Sequence, residues 1–376
     1  MTRILMPLKL ILAAFIFTIS SAQAEQITVT DLAGRTVTLN APVQTMVLGE
    51  GRFLPSIAIL DRDNPLKRIV GMMAEFKKLD PSTYSQYLKH YPKIDEIPLI
   101  GSSGAATFNI ETSLAVRPDV AIFGISSGHG PNDRSKTVLD QFESAGIPVL
   151  FVDFRIDPLV NTPKSLRLLG DIMGREKQAE GFLSFYDKEL AKVANRVKSI
   201  ENRPTVFMES RVGLRPECCE AIGSAMMGRF IEWAGGVNAY GQQIPGTHGM
   251  INREHLLVHQ PDVYIGTAIG SEERMKTTPQ FLALGANTSQ AAARQSLQQA
   301  LTRKELASLT AVKEGRAFAI WHHFYNTPMN VTAVQVIAKW LHPNLFADLE
   351  PEQTLKTYFE KFQPVPLDGT YWVSAR

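Results

Sequence analysis

The sequence predicts an α/β protein of two lobes, each with a mostly parallel sheet, on either side of an all-helical stretch. Three observations predict it. Short apolar strand-type runs alternate with helical patterns before residue 158, and the same alternation returns after residue 200. Residues 158–200 carry no strand signal. A pattern E-x6-P-D-V occurs once in each half, as Glu111 to Val120 and as Glu254 to Val263.

At the N-terminus, Arg3 and Lys9 precede the apolar run Leu10 to Ile19, and Ser21-Ala22-Gln23-Ala24 supplies small residues. This is the pattern of a secretory signal peptide over 1–24, with cleavage after Ala24 and export to the periplasm. The apolar run is about half the length of a membrane span, and no cysteine follows it for lipid attachment. Without Arg3 and Lys9 the formal net charge falls from +2 to zero, so nothing in the charge favours a nucleic-acid partner. Cys218 and Cys219 are the two cysteines. In an oxidising compartment they can close a vicinal disulfide, and a two-thiol metal site is the alternative.

The mature chain divides as an N-terminal lobe (25–157), a connecting helical segment (158–200) and a C-terminal lobe (201–376). Residues 27–39 alternate around Asp31-Leu-Ala-Gly34 and predict a β-hairpin. Thr45–Leu48, Lys67–Val70, Val120–Phe123 and Val149–Val152 read as strands, with a helix starting near Phe53. Ala179, Phe182, Leu183, Tyr186, Leu190, Val193 and Val197 form one apolar stripe on a long amphipathic helix. Gly170 and Gly174 can split the segment into two pieces. Val206–Glu209, Val263–Gly266 and Ala317–Trp321 are the later strand candidates. In both repeats the Pro-Asp pair ends a short helix and a strand begins, because proline cannot continue the helical bonding.

No P-loop, Rossmann glycine fingerprint or H-E-x-x-H helix occurs, which argues against an enzyme. Asp153 and His129 could serve as base and acid, but polar residues there suit binding equally. His255 and His259 stand four apart and could share a helix face, although the corresponding repeat positions are Ser113 and Arg117.

The chain resembles the periplasmic iron-siderophore, haem and cobalamin binding proteins of ABC transporters. The resemblance rests on the D-x-x-G-R hairpin, IETSLAVRPDVAIFG, GRFIEWAGGVNAY, INREHLLVHQPDVYIG, GRAFAIWHHFYNTP and the ending YFEKFQPVPLDGTYW. It implies two Rossmann-like lobes joined by a single long backbone helix, the class III arrangement, with a ligand held between them. It also implies a monomer that passes its cargo to the permease dimer of an ABC importer in the inner membrane. The implied cargo is a ferric-siderophore or other Fe(III)-chelate, with no cofactor of the protein's own. Haem, cobalamin or another metal chelate such as nickel is the alternative. Glu111 and Glu254 match the glutamates that dock on permease arginines.

The ligand cleft should collect loops at the carboxyl ends of strands. Those loops supply Glu50-Gly51-Arg52, Ser102, Ser103, Ser126-Ser127-Gly128-His129, Ser210-Arg211, Arg215, Thr267 and Trp321-His322-His323-Phe324-Tyr325. Arginines offer charge and forked donors, and aromatic rings offer flat contact area. Arg52, Arg211, Arg215, Trp321 and Tyr325 are therefore the leading contacts. In an extended segment His322 and His323 would point to opposite sides unless a turn intervenes. His323 with Tyr325 is the candidate pair for completing an iron shell.

Overall fold

The computed structural model describes residues 25–125, 128–215, 218–244 and 246–376. The expected signal peptide, Ser126 and Ser127 lie outside the described residues. No helix among the described residues is long and apolar enough to cross a membrane.

Strands β1 (Glu25–Thr30) and β2 (Thr36–Ala41) pair antiparallel from Glu25↔Ala41 to Thr30↔Thr36. The D-x-x-G-R motif closes their turn. The Asp31 carboxylate accepts the Ala33 and Arg35 backbone N–H groups and the Arg35 guanidinium at 2.7–3.0 Å. Gly34 takes a φ of +78°, a left-handed conformation that costs glycine little.

Strands β3 (Met46–Leu48), β4 (Ile69–Met72), β5 (Val120–Gly124) and β6 (Val149–Val152) form a parallel sheet in the order β4-β3-β5-β6. The second sheet has parallel β7 (Thr205–Glu209), β11 (Val263–Ala268) and β12 (Ala317–Trp321) at its centre. Antiparallel β8 (Glu220–Ile222) and β10 (His248–Met250) extend one side, and antiparallel β13 (Trp372–Ser374) the other. The two-residue strand β9 (Val237–Asn238) pairs parallel to β7. Every residue of β11 is buried, as expected for a parallel strand covered on both faces.

The connecting segment folds as two helices, Pro158–Met173 and Glu176–Ala194, with Gly174 between them at φ +61°. The second is the spine. It buries Ala179, Phe182, Leu183, Tyr186, Leu190 and Val193, six of the seven predicted stripe residues. Val197 falls beyond its end, in the short turn Val197–Ser199. The spine packs on Leu54–Leu60 from the first lobe and on Asn330–Leu341 from the second. Full burial of a side chain such as Phe182 stabilises the junction by about 1.5–3 kcal/mol. The Tyr186 hydroxyl also donates to Asn330 Oδ1 at 2.8 Å.

The sequence repeat is also a repeat of local structure. Asn109 and Asn252 cap the two short helices, Asn109 accepting the Thr112 N–H and Asn252 the Glu254 and His255 N–H groups. The Asp119 carboxylate accepts the Thr45 N–H at 2.9 Å, and the Asp262 carboxylate accepts the Thr205 N–H at 2.7 Å. In return, each aspartate N–H donates to its threonine Oγ1 at 3.0 Å. The same clasp thus ties β3 to β5 and β7 to β11.

Candidate functional site

Both sheets send their strand-end loops into one cleft of about 470 Å³. After β3, Glu50 leads into the turn Gly51–Phe53, which carries Arg52. Arg155 follows β6, Arg211 follows β7, and His322–Asn326 follow β12. Arg211 is held at φ +48°, an uncommon conformation for a side-chain-bearing residue, with its backbone N–H donating to Thr267 Oγ1 at 2.7 Å.

Arg52 is the centre of the site. It is buried, yet its guanidinium reaches across the cleft, Nη1 lying 3.0 Å from His323 Nδ1 and donating to the Tyr325 hydroxyl at 3.1 Å. Nε and Nη2 have no hydrogen-bond partner among the described residues. Glu50 and Glu75 stand behind it, at 3.5 Å and 3.9 Å. Arg155 also pairs with Glu50 at 3.3 Å and lies over the Tyr325 ring at 5.0 Å. In the second lobe, Glu220 supports Arg211 at 2.6 Å and Arg215 at 3.5 Å.

Burial pushes the Glu50 carboxyl up, but Arg155 and Arg52 together pull it below its usual range. Glu75 has no second arginine, and burial raises it to about 7. Burial, with Arg52 and then Arg155 nearby, lowers His129 to about 4. Burial also holds His322 and His323 well below the ordinary imidazole range. The three imidazoles are therefore neutral, and arginine and lysine carry the positive charge of the cleft.

The partners fix the roles of the ring nitrogens. Arg52 can only donate, so His323 Nδ1 is an acceptor and its Nε2–H donates to the Leu79 carbonyl at 3.2 Å. His129 Nδ1 faces the Ser103 carbonyl at 3.1 Å and must carry the proton. His322 Nδ1 lies 3.0 Å from Thr267 Oγ1.

Of the residues expected from the sequence, the cleft brings together Arg52, His129, Arg211, His322, His323 and Tyr325. Five others do not line it. Trp321, the last residue of β12, turns into the core against Phe324 and Tyr371. Gly285 makes room for it, since a Cβ there would stand 2.6 Å from the indole Nε1. Thr267 is fully buried behind His322. Ser102 is tied to Lys78, and Ser103 contributes its carbonyl to His129. Arg215 is exposed and turned to Glu220. His322 and His323 both line the cleft because His322–Asn326 is a helical turn and not an extended segment.

The pairing of His323 with Tyr325 as metal ligands meets a physical objection: both ring nitrogens of His323 are engaged, and Tyr325 accepts from Arg52. Asp153 is occupied within its own loop. Its carboxylate accepts the backbone N–H groups of Arg155, Ile156 and Asp157 at 2.8–3.2 Å. The structure pairs Cys218 with Cys219 as a disulfide. Glu209 beside them accepts from Arg303 and from the Tyr264 hydroxyl, which leaves no ligand set for an ion. Glu111 and Glu254 lie in the first turns of Ile110–Ala115 and Arg253–Val258, away from the cleft lining.

The sequence reading missed Arg155, Lys78, His248 and Arg274, all of which line the cleft. Arg155 was within reach of the strand-end rule, because it lies three residues past β6. The other three come from loops or short elements with no strand-end signature.

Residues 80–321 match the family model described as periplasmic binding protein. The chain is 22% identical to the molybdate-binding protein MolA of Haemophilus influenzae, with 94% of this chain and 95% of MolA aligned. Among solved structures it is similar to the TroA-like periplasmic binding protein FepB from Veillonella parvula. There the TM-score is 0.83 at 24% identity, covering 93% of this chain and all of FepB's. A periplasmic haem-binding protein from Pseudomonas aeruginosa matches with a TM-score of 0.54 at 19% identity, over 80% of this chain and 94% of that one. With the two-lobed fold, the inter-lobe cleft and a family match over most of its length, the chain belongs to the periplasmic binding proteins of ABC transporters.

Proposed function

We propose that the protein captures an anionic iron chelate, a ferric siderophore, in the cleft and delivers it to its ABC importer. One observation carries this reading. Arg52, Lys78, Arg155, Arg211 and Arg274 all line the cleft, and among the described residues no carboxylate does. The supporting glutamates stand behind the arginines and orient them, so the open side offers donors and positive charge. The volume of about 470 Å³ suits a small-molecule ligand, for which pockets run to about 300–1,000 Å³.

A four-oxygen anion such as molybdate is the second reading. It is favoured by the likeness to MolA and by the guanidinium groups of Arg52, Arg155 and Arg211 that line one cleft. Such an ion would fill only a small part of the cleft.

Delivery places Glu111 and Glu254 on the permease, one from each lobe, as first-turn carboxylates free to meet arginine forks. The division at 25–157, 158–200 and 201–376 belongs to the same reading. Each lobe carries one docking glutamate and one wall of the cleft. A tryptophan-quenching titration against ferric siderophores, haem, cobalamin, molybdate and free metal ions tests the ligand. Binding of a ferric siderophore in preference to the others supports the proposal, and binding of free divalent metal alone defeats it.

A further inference from the structure

Thr267 was expected to touch the ligand, but it is fully buried and one residue removed from the cleft. Its position gives it a different task. Thr267 Oγ1 already accepts the Arg211 backbone N–H at 2.7 Å. Its own proton needs an acceptor, and among the described residues His322 Nδ1, at 3.0 Å, is the one acceptor within hydrogen-bond reach. The reverse arrangement, with Nδ1–H donating to Oγ1, would leave the hydroxyl proton unsatisfied where no water reaches it. The hydroxyl therefore donates and Nδ1 accepts, which puts the imidazole proton on Nε2.

His322 lines the cleft with Nδ1 turned to Thr267, so the opposite ring edge is the one left for a ligand. The hydrogen bond that the His322 ring makes among the described residues is the one at Nδ1, and none involves Nε2. We infer that Thr267 is a positioning residue that fixes His322 as an Nε2–H donor, so that His322 binds an anionic oxygen of the ligand and not a metal ion. The inference rests on the anionic-chelate reading and deepens it. The atom that meets His322 is an acceptor oxygen of the chelate, and the metal stays within its own ligand shell.

One threonine also couples two cleft residues. The same Oγ1 holds the backbone of Arg211 and the ring of His322, so the guanidinium and the imidazole donor approach the ligand as a fixed pair. A valine at this position is close in size but can neither accept from Arg211 nor donate to His322.

The test reads the tautomer by two-bond ¹H–¹⁵N NMR of the histidines in the ligand-free protein, then repeats it with a diamagnetic probe. The probe is the gallium(III) complex of a hexadentate tris-catecholate. In the wild type, His322 should carry its proton on Nε2 across the neutral range. His129, tied through Nδ1 to Ser103, should show the opposite tautomer and serves as the internal control. The probe should shift the His322 Nε2–H resonance. T267V should lose the fixed tautomer and weaken the probe by about tenfold or more, while T267S restores both. An Nδ1–H tautomer in the wild type, or T267V with wild-type tautomer and affinity, overturns the inference. Failure of the wild type to bind either the gallium complex or molybdate overturns instead the anionic-ligand reading. The two failures are distinct because the tautomer is read without ligand.

Discussion

Arg52 Nη1 of the first lobe lies 3.0 Å from His323 Nδ1 of the second, and both residues are buried. This contact joins the lobes within the cleft, so on the proposed reading one arginine serves both as a structural tie and as a donor to the anionic ligand. Its cost in desolvation is offset by Glu50 and Glu75 behind it.

Arg52→Ala should therefore weaken anionic ligands by at least about a hundredfold, as expected when a buried charged donor is removed. It should also destabilise the fold by roughly 3–5 kcal/mol, because Glu75 loses its partner. Adding Glu75→Gln to Arg52→Ala should recover part of the stability and none of the affinity. A double-mutant cycle by denaturant unfolding and titration measures both terms.

Glu75 makes the stability of the protein pH-dependent in a definite direction. Its folded-state pKa is raised from 4.5 to about 7 by burial, with Arg52 opposing. The folded state holds the extra proton between those values, so this contribution is present below the lower one and is lost as pH rises through about 7. The stability of Glu75→Gln relative to wild type should therefore rise from pH 4.5 towards neutral, by up to roughly 3 kcal/mol. Unfolding curves of the two proteins at matched pH check the sign. A constant difference would mean that Glu75 is not perturbed.

Trp321 offers a control for the boundary of the site. It packs edge-to-face on Phe324 and Tyr371 and does not line the cleft. Trp321→Phe should cost about 1–3 kcal/mol of stability through imperfect refilling of the core. Ligand affinity should stay within about threefold, a change below 1 kcal/mol. A large loss of affinity with unchanged stability would return Trp321 to the binding surface.

The proposed docking roles of Glu111 and Glu254 separate from ligand binding in the same way. Charge reversal of both Glu111 and Glu254 should leave ligand affinity intact and abolish uptake in cells. Unimpaired uptake by the double variant would remove those roles.

The central strands were legible because buried parallel strands are written as short apolar runs. Val149–Val152 and Ala317–Trp321 match their predicted bounds, Lys67–Val70 is shifted by two residues to Ile69–Met72, and the others differ by one or two residues at one end. The spine was legible through its helical stripe. The marginal strands β8, β9, β10 and β13 were not, since two or three residues at a sheet edge leave no periodic signal.

Within the site, Arg52, His129, Arg211, His322, His323 and Tyr325 could be selected because strand ends predict where a cleft collects its loops. What the sequence could not convey was depth. Thr267 and Trp321 sit at strand ends, but the pleat and the turn after β12 place them behind the lining. Glu75 and Glu220 reach the arginines from the next elements along the chain, a short helix and β8, so their contribution emerges only once those elements pack beside the strand ends.

The most direct measurement is an equilibrium titration of the purified wild-type protein with a ferric tris-catecholate complex at increasing salt, beside free Fe(III), Ni(II) and Zn(II). The account predicts saturable binding of the intact ferric complex that weakens with salt, and no comparable binding of the bare ions. Tight binding of a bare metal ion with no affinity for any anionic complex would contradict it.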